Sequence, residues 1–267
     1  MRFAKLRHLA TALAMVASVA TMSGAGAAEP AAAAPPKPYA IPSSVPKYIR
    51  DAVQSKDRTE QMTARDADRK PAEVLALSGV KPGDRVVEFA SFGQYFTTML
   101  SSIVGEKGLV YMFDLPYTEQ RSGAASRDFV AKHPNARYQI VDYNTIELPQ
   151  NIDIVFNVLY YHDLPLNNIE TGALNAKIFK SLKPGGIFFI VDHNAAPGSG
   201  MRDTKNLHRI DPTVIRQEVL AAGFELVEES KLLANPEDDH SWMVFAAGKR
   251  GTTDQSIFKF RKPLKAK

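Results

Sequence analysis

From residue 85 onward, short apolar runs alternate with stretches in which apolar residues recur every three or four positions. The runs at 85–89, 109–113, 138–141, 152–159 and 186–191 are rich in Val, Ile and Phe and are bounded by turn residues. Such runs predict strands buried on both faces of a parallel sheet. Between them, residues 95–104 place Phe96, Met99, Leu100 and Ile103 at helical spacing. Residues 122–132 and 169–182 also predict helices, the second stopped by Lys183-Pro184-Gly185-Gly186. In "DPTVIRQEVLAAGF", Asp211 is the expected N-cap, Pro212 the first helical residue and Gly223 the end. Two further strand candidates, 224–229 and 241–247, predict a C-terminal antiparallel hairpin, with 256–260 as a candidate edge strand. The order predicts an α/β fold: a doubly wound, Rossmann-like sheet, mostly parallel, that binds ligands at the carboxyl ends of its strands.

The chain before this alternation reads differently. Arg2, Lys5 and Arg7 precede an apolar run at 9–22, and Ala25-x-Ala27 follows. This is the pattern of a secretory signal peptide over residues 1–27, and the run of roughly 14 residues is short for a membrane span of about 20. The reading predicts a periplasmic or secreted protein with no stable membrane anchor after cleavage. Residues 28–46 are rich in Ala and Pro and predict an extended linker. Residues 47–267 then form one domain that opens with a helical segment to about residue 77. Arg65, Asp66 and Arg69 in that segment read first as a solvated charged face, and second as a lid contact.

Composition narrows the partners. The formal net charge is +4, and the signal carries three basic and no acidic residues, so the mature chain is close to neutral. Nothing points to nucleic acid; a small-molecule substrate fits better. The basic residues Lys259, Arg261, Lys262, Lys265 and Lys267 read as a solvated tail. Cysteine is absent, which excludes disulfides, thiol catalysis and cysteine metal sites.

Several stretches together carry a family likeness: "VKPGDRVVEFA", "FD" at 113–114, "VDYNTIELP", "IDIVFNVLYYHDL" and "IFKSLKPGGIFFIVDH". Over about residues 76–247 the chain resembles the class I S-adenosylmethionine-dependent methyltransferases, and it looks like a group of exported bacterial predicted methyltransferases. The resemblance implies a Rossmann-like methyltransferase sheet and S-adenosylmethionine as cofactor. It further implies that Glu88 orients the methionine end, that Asp114 accepts from the ribose hydroxyls, and that Asp142 accepts from the adenine amino group near Tyr143 and Ile146. Ala90 and Gly93 belong to the cofactor turn after the first strand.

That turn departs from its family pattern. "EFASFGQYF" keeps one glycine, Gly93, where glycines at alternate positions let a ligand approach bare backbone. Ala90, Phe92 and Gln94 stand in their place. Two readings follow: the Phe92 ring tucks away and leaves a weakened site, or it blocks the methionine end.

Four histidines fall at the expected ligand-binding edge: His162, His193, His208 and His240. Each has an aspartate near it in sequence, namely Asp163, Asp192, Asp211 and Asp239. Histidine oriented by a carboxylate is a general base near neutral pH, so His162 with Asp163, His193 and His208 are the candidate catalytic residues. A metal held by imidazole and carboxylate is the competing reading, and no tight spacing such as H-x-x-x-H supports it. The implied activity is methyl transfer to a small hydroxyl or amine acceptor. The competing function is a non-catalytic periplasmic binding protein with a remodelled crevice.

Overall fold

The computed structural model describes residues 38–264. The predicted signal peptide and the linker up to residue 37 lie outside the described residues. The N-terminal helical segment is four short helices: α1 (Lys47–Val53), α2 (Glu60–Thr63), α3 (Asp66–Arg69) and α4 (Pro71–Ser78). There follow β1 (Arg85–Phe89), α5 (Tyr95–Val104), β2 (Leu109–Asp114), α6 (Ala124–Lys132), β3 (Ala136–Ile140), β4 (Ile152–Val158), α7 (Thr171–Ser181) and β5 (Leu182–His193). The chain continues through α8 (Thr204–Leu207), α9 (Pro212–Ala221), β6 (Glu225–Ser230) and β7 (Gln255–Arg261).

The seven strands form one sheet in the order β3-β2-β1-β4-β5-β7-β6. The first five are parallel, and β7 runs antiparallel to both β5 and β6. Alternate residues of a strand face opposite sides. Val86 accordingly packs with Ile49, Leu75, Phe96 and Leu100 beneath α1, α4 and α5. Its neighbour Val87 joins the other layer, with Ile178 and Val219 from α7 and α9. Strand order reverses between β1 and β4, which opens a crevice at the carboxyl edge there.

The C-terminal hairpin has a different partner from the expected one. β6 pairs with residues 255–261, and 241–247 form no strand. Arg209 and Asp238 pair through two contacts of 2.8 and 3.1 Å, both side chains fully buried. Arg209 also donates to the Trp242 carbonyl and lies 4.5 Å from the Trp242 ring centroid. These contacts, with Val244 N–H donating to the Leu207 carbonyl, hold 241–247 as a loop, although its apolar residues read like a strand. β7 is not an edge strand. Ile257 enters one core layer and Phe258 and Phe260 the other, so both faces are covered. Nor are Arg261 and Lys262 part of a free tail: Arg261 pairs with Glu225 at 3.1 Å, and Lys262 donates to the Leu182 carbonyl, while Lys265 and Lys267 lie outside the described residues. Among the described residues, no helix is long and apolar enough to cross a membrane.

Candidate functional site

The turn after β1 keeps a glycine-type backbone without the glycines. Ala90 has φ +56°, Gly93 +87° and Gln94 +48°. Left-handed backbone costs a residue with a Cβ on the order of 1–2 kcal/mol, so Ala90 and Gln94 hold this shape only because the surroundings impose it. The restraints are visible. Ala90 N–H donates to the Phe113 carbonyl at 3.0 Å and to the Tyr143 hydroxyl at 3.1 Å. Ser91 donates twice to Asp114 Oδ1, from N–H at 2.6 Å and from Oγ at 3.0 Å. The Gln94 amide reaches Ser126 Oγ at 2.8 Å.

Asp114 ends β2, completely buried. Its Oδ1 is engaged by Ser91, while Oδ2 is buried with no hydrogen-bond partner among the described residues. Burial raises its pKa, and the two Ser91 hydrogen bonds oppose the rise. An orphaned acceptor at this place fits a ligand that brings hydroxyl donors. Glu88, in β1, is also buried, with Oε2 accepting from Thr97 Oγ1 at 2.6 Å. Asp142 follows β3 and is less enclosed than Asp114 and Glu88. It is exposed, and its Oδ1 accepts from Asn144 N–H in a local turn. The sequence pattern pointed at Asp142, but the inward residue of the pair is Tyr143, which donates to the Phe113 carbonyl at 2.6 Å.

Phe92 points into the crevice wall. Its ring stands edge-on to Tyr160, with centroids 6.0 Å apart, and Arg121 lies 5.8 Å from its centroid. Tyr160 in turn shares a 2.9 Å hydroxyl contact with Tyr117 and packs edge-on to Tyr143. The crevice floor is therefore aromatic. A cleft of about 630 Å³ lies elsewhere, at the amino edge by Arg85, Ser101 and Asn135.

Three of the four histidines meet. The His162 ring centroid is 5.8 Å from that of His193 and 5.5 Å from that of His208. The aspartate partners are not all the sequence neighbours. His162 Nδ1 bonds Asp192 Oδ1 at 2.6 Å, and Asp192 Oδ2 also accepts the His162 N–H. Asp163 Oδ1 lies 3.3 Å from His162 Nε2 and 2.9 Å from His208 Nδ1. His193 Nδ1 is held by Thr253 Oγ1 at 2.8 Å, which leaves Nε2 for a ligand. Asp211 instead caps α9 and accepts from Gly198. His240 pairs with Asp254, not Asp239, and joins none of the other three rings. Burial would lower the His162 pKa, but the Asp192 carboxylate outweighs it and the value lies above the ordinary one. Burial, then the positive neighbours His162 and Arg209, push His193 well below.

The N-terminal segment closes one side. Arg58 clasps buried Asp66 at 2.5 and 2.8 Å, and Tyr95 donates to the same carboxylate at 2.6 Å. The Arg69 guanidinium lies 4.4 Å from the Tyr95 ring centroid. These residues are packed against the start of α5, so the solvated-face reading of Asp66 and Arg69 does not hold. No sequence signal marks Thr253, which comes from a loop far along the chain.

No family model matches the sequence. The chain is 27% identical over 178 residues to the ubiquinone/menaquinone biosynthesis C-methyltransferase UbiE of Photorhabdus laumondii, covering 65% of this chain and 69% of that one. A SAM-dependent methyltransferase structure from Aquifex aeolicus superposes with TM-score 0.53 at 17% identity, over 73% of this chain and 97% of that chain. Aeropyrum pernix fibrillarin, solved with natively bound S-adenosyl-L-methionine, gives 0.50 at 15% identity, over 73% and 76%. With the seven-stranded order and its antiparallel β7, these likenesses establish that the chain has the class I S-adenosylmethionine-dependent methyltransferase fold.

Proposed function

We propose that this is an exported S-adenosylmethionine-dependent methyltransferase acting on a small hydroxyl or amine acceptor. The observation that carries the reading is Asp114 Oδ2, a buried acceptor without a partner at the end of β2, beside a turn that keeps its left-handed backbone. Asp114 would accept from the ribose hydroxyls, where a carboxylate suits two adjacent donors. Bound S-adenosylmethionine supplies an electrophilic methyl group. The chain's own work is to align the acceptor and take its proton. His193 Nε2 is placed to receive that proton, with Thr253 fixing the ring through Nδ1. Tyr117 and Tyr160, joined through their hydroxyls, offer a mostly apolar wall for a small substrate. Export rests on the N-terminal charge and apolar pattern alone.

One observation favours a second reading. The Ala90 and Ser91 amides are already spent on Tyr143 and Asp114, and Phe92 and Tyr160 narrow the crevice. This suits a binding protein whose crevice serves another ligand. Calorimetry with S-adenosylmethionine decides between them. Binding by the wild type, weakened tenfold or more in Asp114→Asn, supports methyl transfer. No heat with wild type at millimolar ligand supports the second reading.

A further inference from the structure

His162, Asp163 and His208 bring one ligand atom each to within 4.8 Å of one another. They come from separate parts of the chain: a single helical turn at Tyr161–Asp163 after β4, and the residue that ends α8. The two measured edges, 3.3 Å and 2.9 Å, share Asp163 Oδ1. Bonds of about 2.0–2.2 Å to a tetrahedral or octahedral cation place neighbouring ligand atoms roughly 3.0–3.5 Å apart. Both edges match the spacing of a metal's ligands, and without an ion the 2.9 Å edge is a His208–Asp163 hydrogen bond.

A second observation points the same way. His162 is buried, and its Nδ1 is bonded to the Asp192 carboxylate, so Nδ1 carries a proton, and in the neutral ring Nε2 presents a lone pair. Nε2 is buried with no hydrogen-bond partner, although Asp163 Oδ1 is only 3.3 Å away. In the neutral ring that lone pair faces a carboxylate oxygen, which is repulsive unless a cation lies between them; in the imidazolium the two form an ion pair without a hydrogen bond. The two atoms are not aligned for a hydrogen bond, so a proton on Nε2 would not join them well. A metal ion off their line of centres would.

We propose that His162 Nε2, the Asp163 carboxylate and His208 Nδ1 form a binding site for a divalent transition-metal ion. Two imidazoles and one carboxylate suit zinc, iron, cobalt or manganese better than calcium or magnesium. Asp192 is the positioning residue: a carboxylate on the distal nitrogen fixes the tautomer and orientation of a ligating histidine. His208 enters the set by carrying its proton on Nε2 rather than Nδ1. The Asp163 and His208 side chains are 20% and 29% exposed, so the remaining coordination positions open toward solvent and the crevice. Phe245, 5.2 Å from the His208 ring centroid, flanks that opening. The site does not depend on the methyltransferase reading, since no cofactor atom enters it.

The test uses the full chain without an affinity tag, stripped with a chelator, and titrated with Zn²⁺ alone by calorimetry and with Co²⁺ alone by visible absorption. The expected result is one equivalent bound, with Co²⁺ ligand-field bands. His208→Ala and Asp163→Asn should each weaken binding a hundredfold or more, and Asp192→Asn ten- to a hundredfold. His208 is partly exposed, so its variant keeps the fold and carries the test if a His162 variant does not. The proposal falls if the stripped wild type binds neither ion, or if His208→Ala and Asp163→Asn bind as tightly as the wild type. S-adenosylmethionine plays no part, so failure here leaves the methyl-transfer reading standing, and the converse also holds.

Discussion

Replacing Glu88 by Gln changes the dependence of stability on pH in a way that can be worked out beforehand. Glu88 is 6% exposed and accepts a hydrogen bond from Thr97 at its Oε2. Burial lifts its pKa from 4.5 to about 8; the Thr97 bond and Arg69 oppose the rise, and Asp114 adds to it. Between those two values the native state holds a proton that the unfolded chain has released. For an acid raised on folding, stability is therefore highest at low pH and falls as pH climbs through the window. The limiting slope is about 1.4 kcal/mol per pH unit, so the group removes roughly 3–5 kcal/mol between pH 4.5 and pH 8. Gln keeps the size and an oxygen for Thr97 but does not titrate. Urea unfolding followed by circular dichroism, at half-unit steps from pH 4.5 to 8.5, gives both curves. Subtracting wild type from Glu88→Gln cancels the other titrating groups. The difference should be small at pH 4.5 and grow in favour of Gln up to pH 8. A flat difference across that window, or one of opposite sign, would refute the reasoning.

Other expectations rest on single contacts. Ala90→Gly should be neutral or stabilise by up to about 1 kcal/mol, because relief at φ +56° offsets the added freedom of the unfolded chain; a loss above 1 kcal/mol in thermal unfolding would contradict this. Phe92→Gly should cost about 2 kcal/mol for a half-buried ring and raise affinity for S-adenosylmethionine, read by calorimetry. Weaker binding would mean that the ring is needed as a packing element. Asp238→Asn should destabilise by about 3–5 kcal/mol, since Arg209 would be left buried without a counter-charge; a loss under 1 kcal/mol in denaturant melts would show the pair to be dispensable. N-terminal sequencing of protein from the periplasmic fraction should find a start near Ala28 or Glu29, and an intact Met1 on cytoplasmic protein would overturn the export reading.

Most of the parallel half of the sheet was legible because β1, β2, β4 and β5 carry apolar runs, a local signal; β3, at the edge, alternates polar and apolar residues and is only half buried. The helix over 95–104 falls where its 3.6-residue spacing put it. Around 241–247 the same kind of signal misled, since Trp242 packs against Arg209 and Phe245 against His208 rather than in a ladder. Residues 256–260 were underrated for the opposite reason: whether a strand is interior or edge depends on which strands flank it, and one segment does not reveal that. At the site, histidines at strand ends were readable from topology. Their partners were not, because Asp192 serves His162 across 30 positions and Thr253 serves His193 across 60. The shape of the glycine-poor turn was equally hidden, since the bonds that impose it come from Phe113, Asp114 and Tyr143.

The place of β7 between β5 and β6 governs the order in which the protein can fold. Strands β1 to β5 can assemble from residues 85–193 alone, whereas β6 has only β7 for a neighbour and must wait. Until residues 255–261 arrive, β5 keeps an open hydrogen-bonding edge, and the faces that Ile257, Phe258 and Phe260 will cover are wet. A growing chain is thus kept short of its native state by one seven-residue strand. During that interval the bare β5 edge is also where a second chain could pair, so slow delivery of β7 should favour aggregation at that edge over misfolding elsewhere.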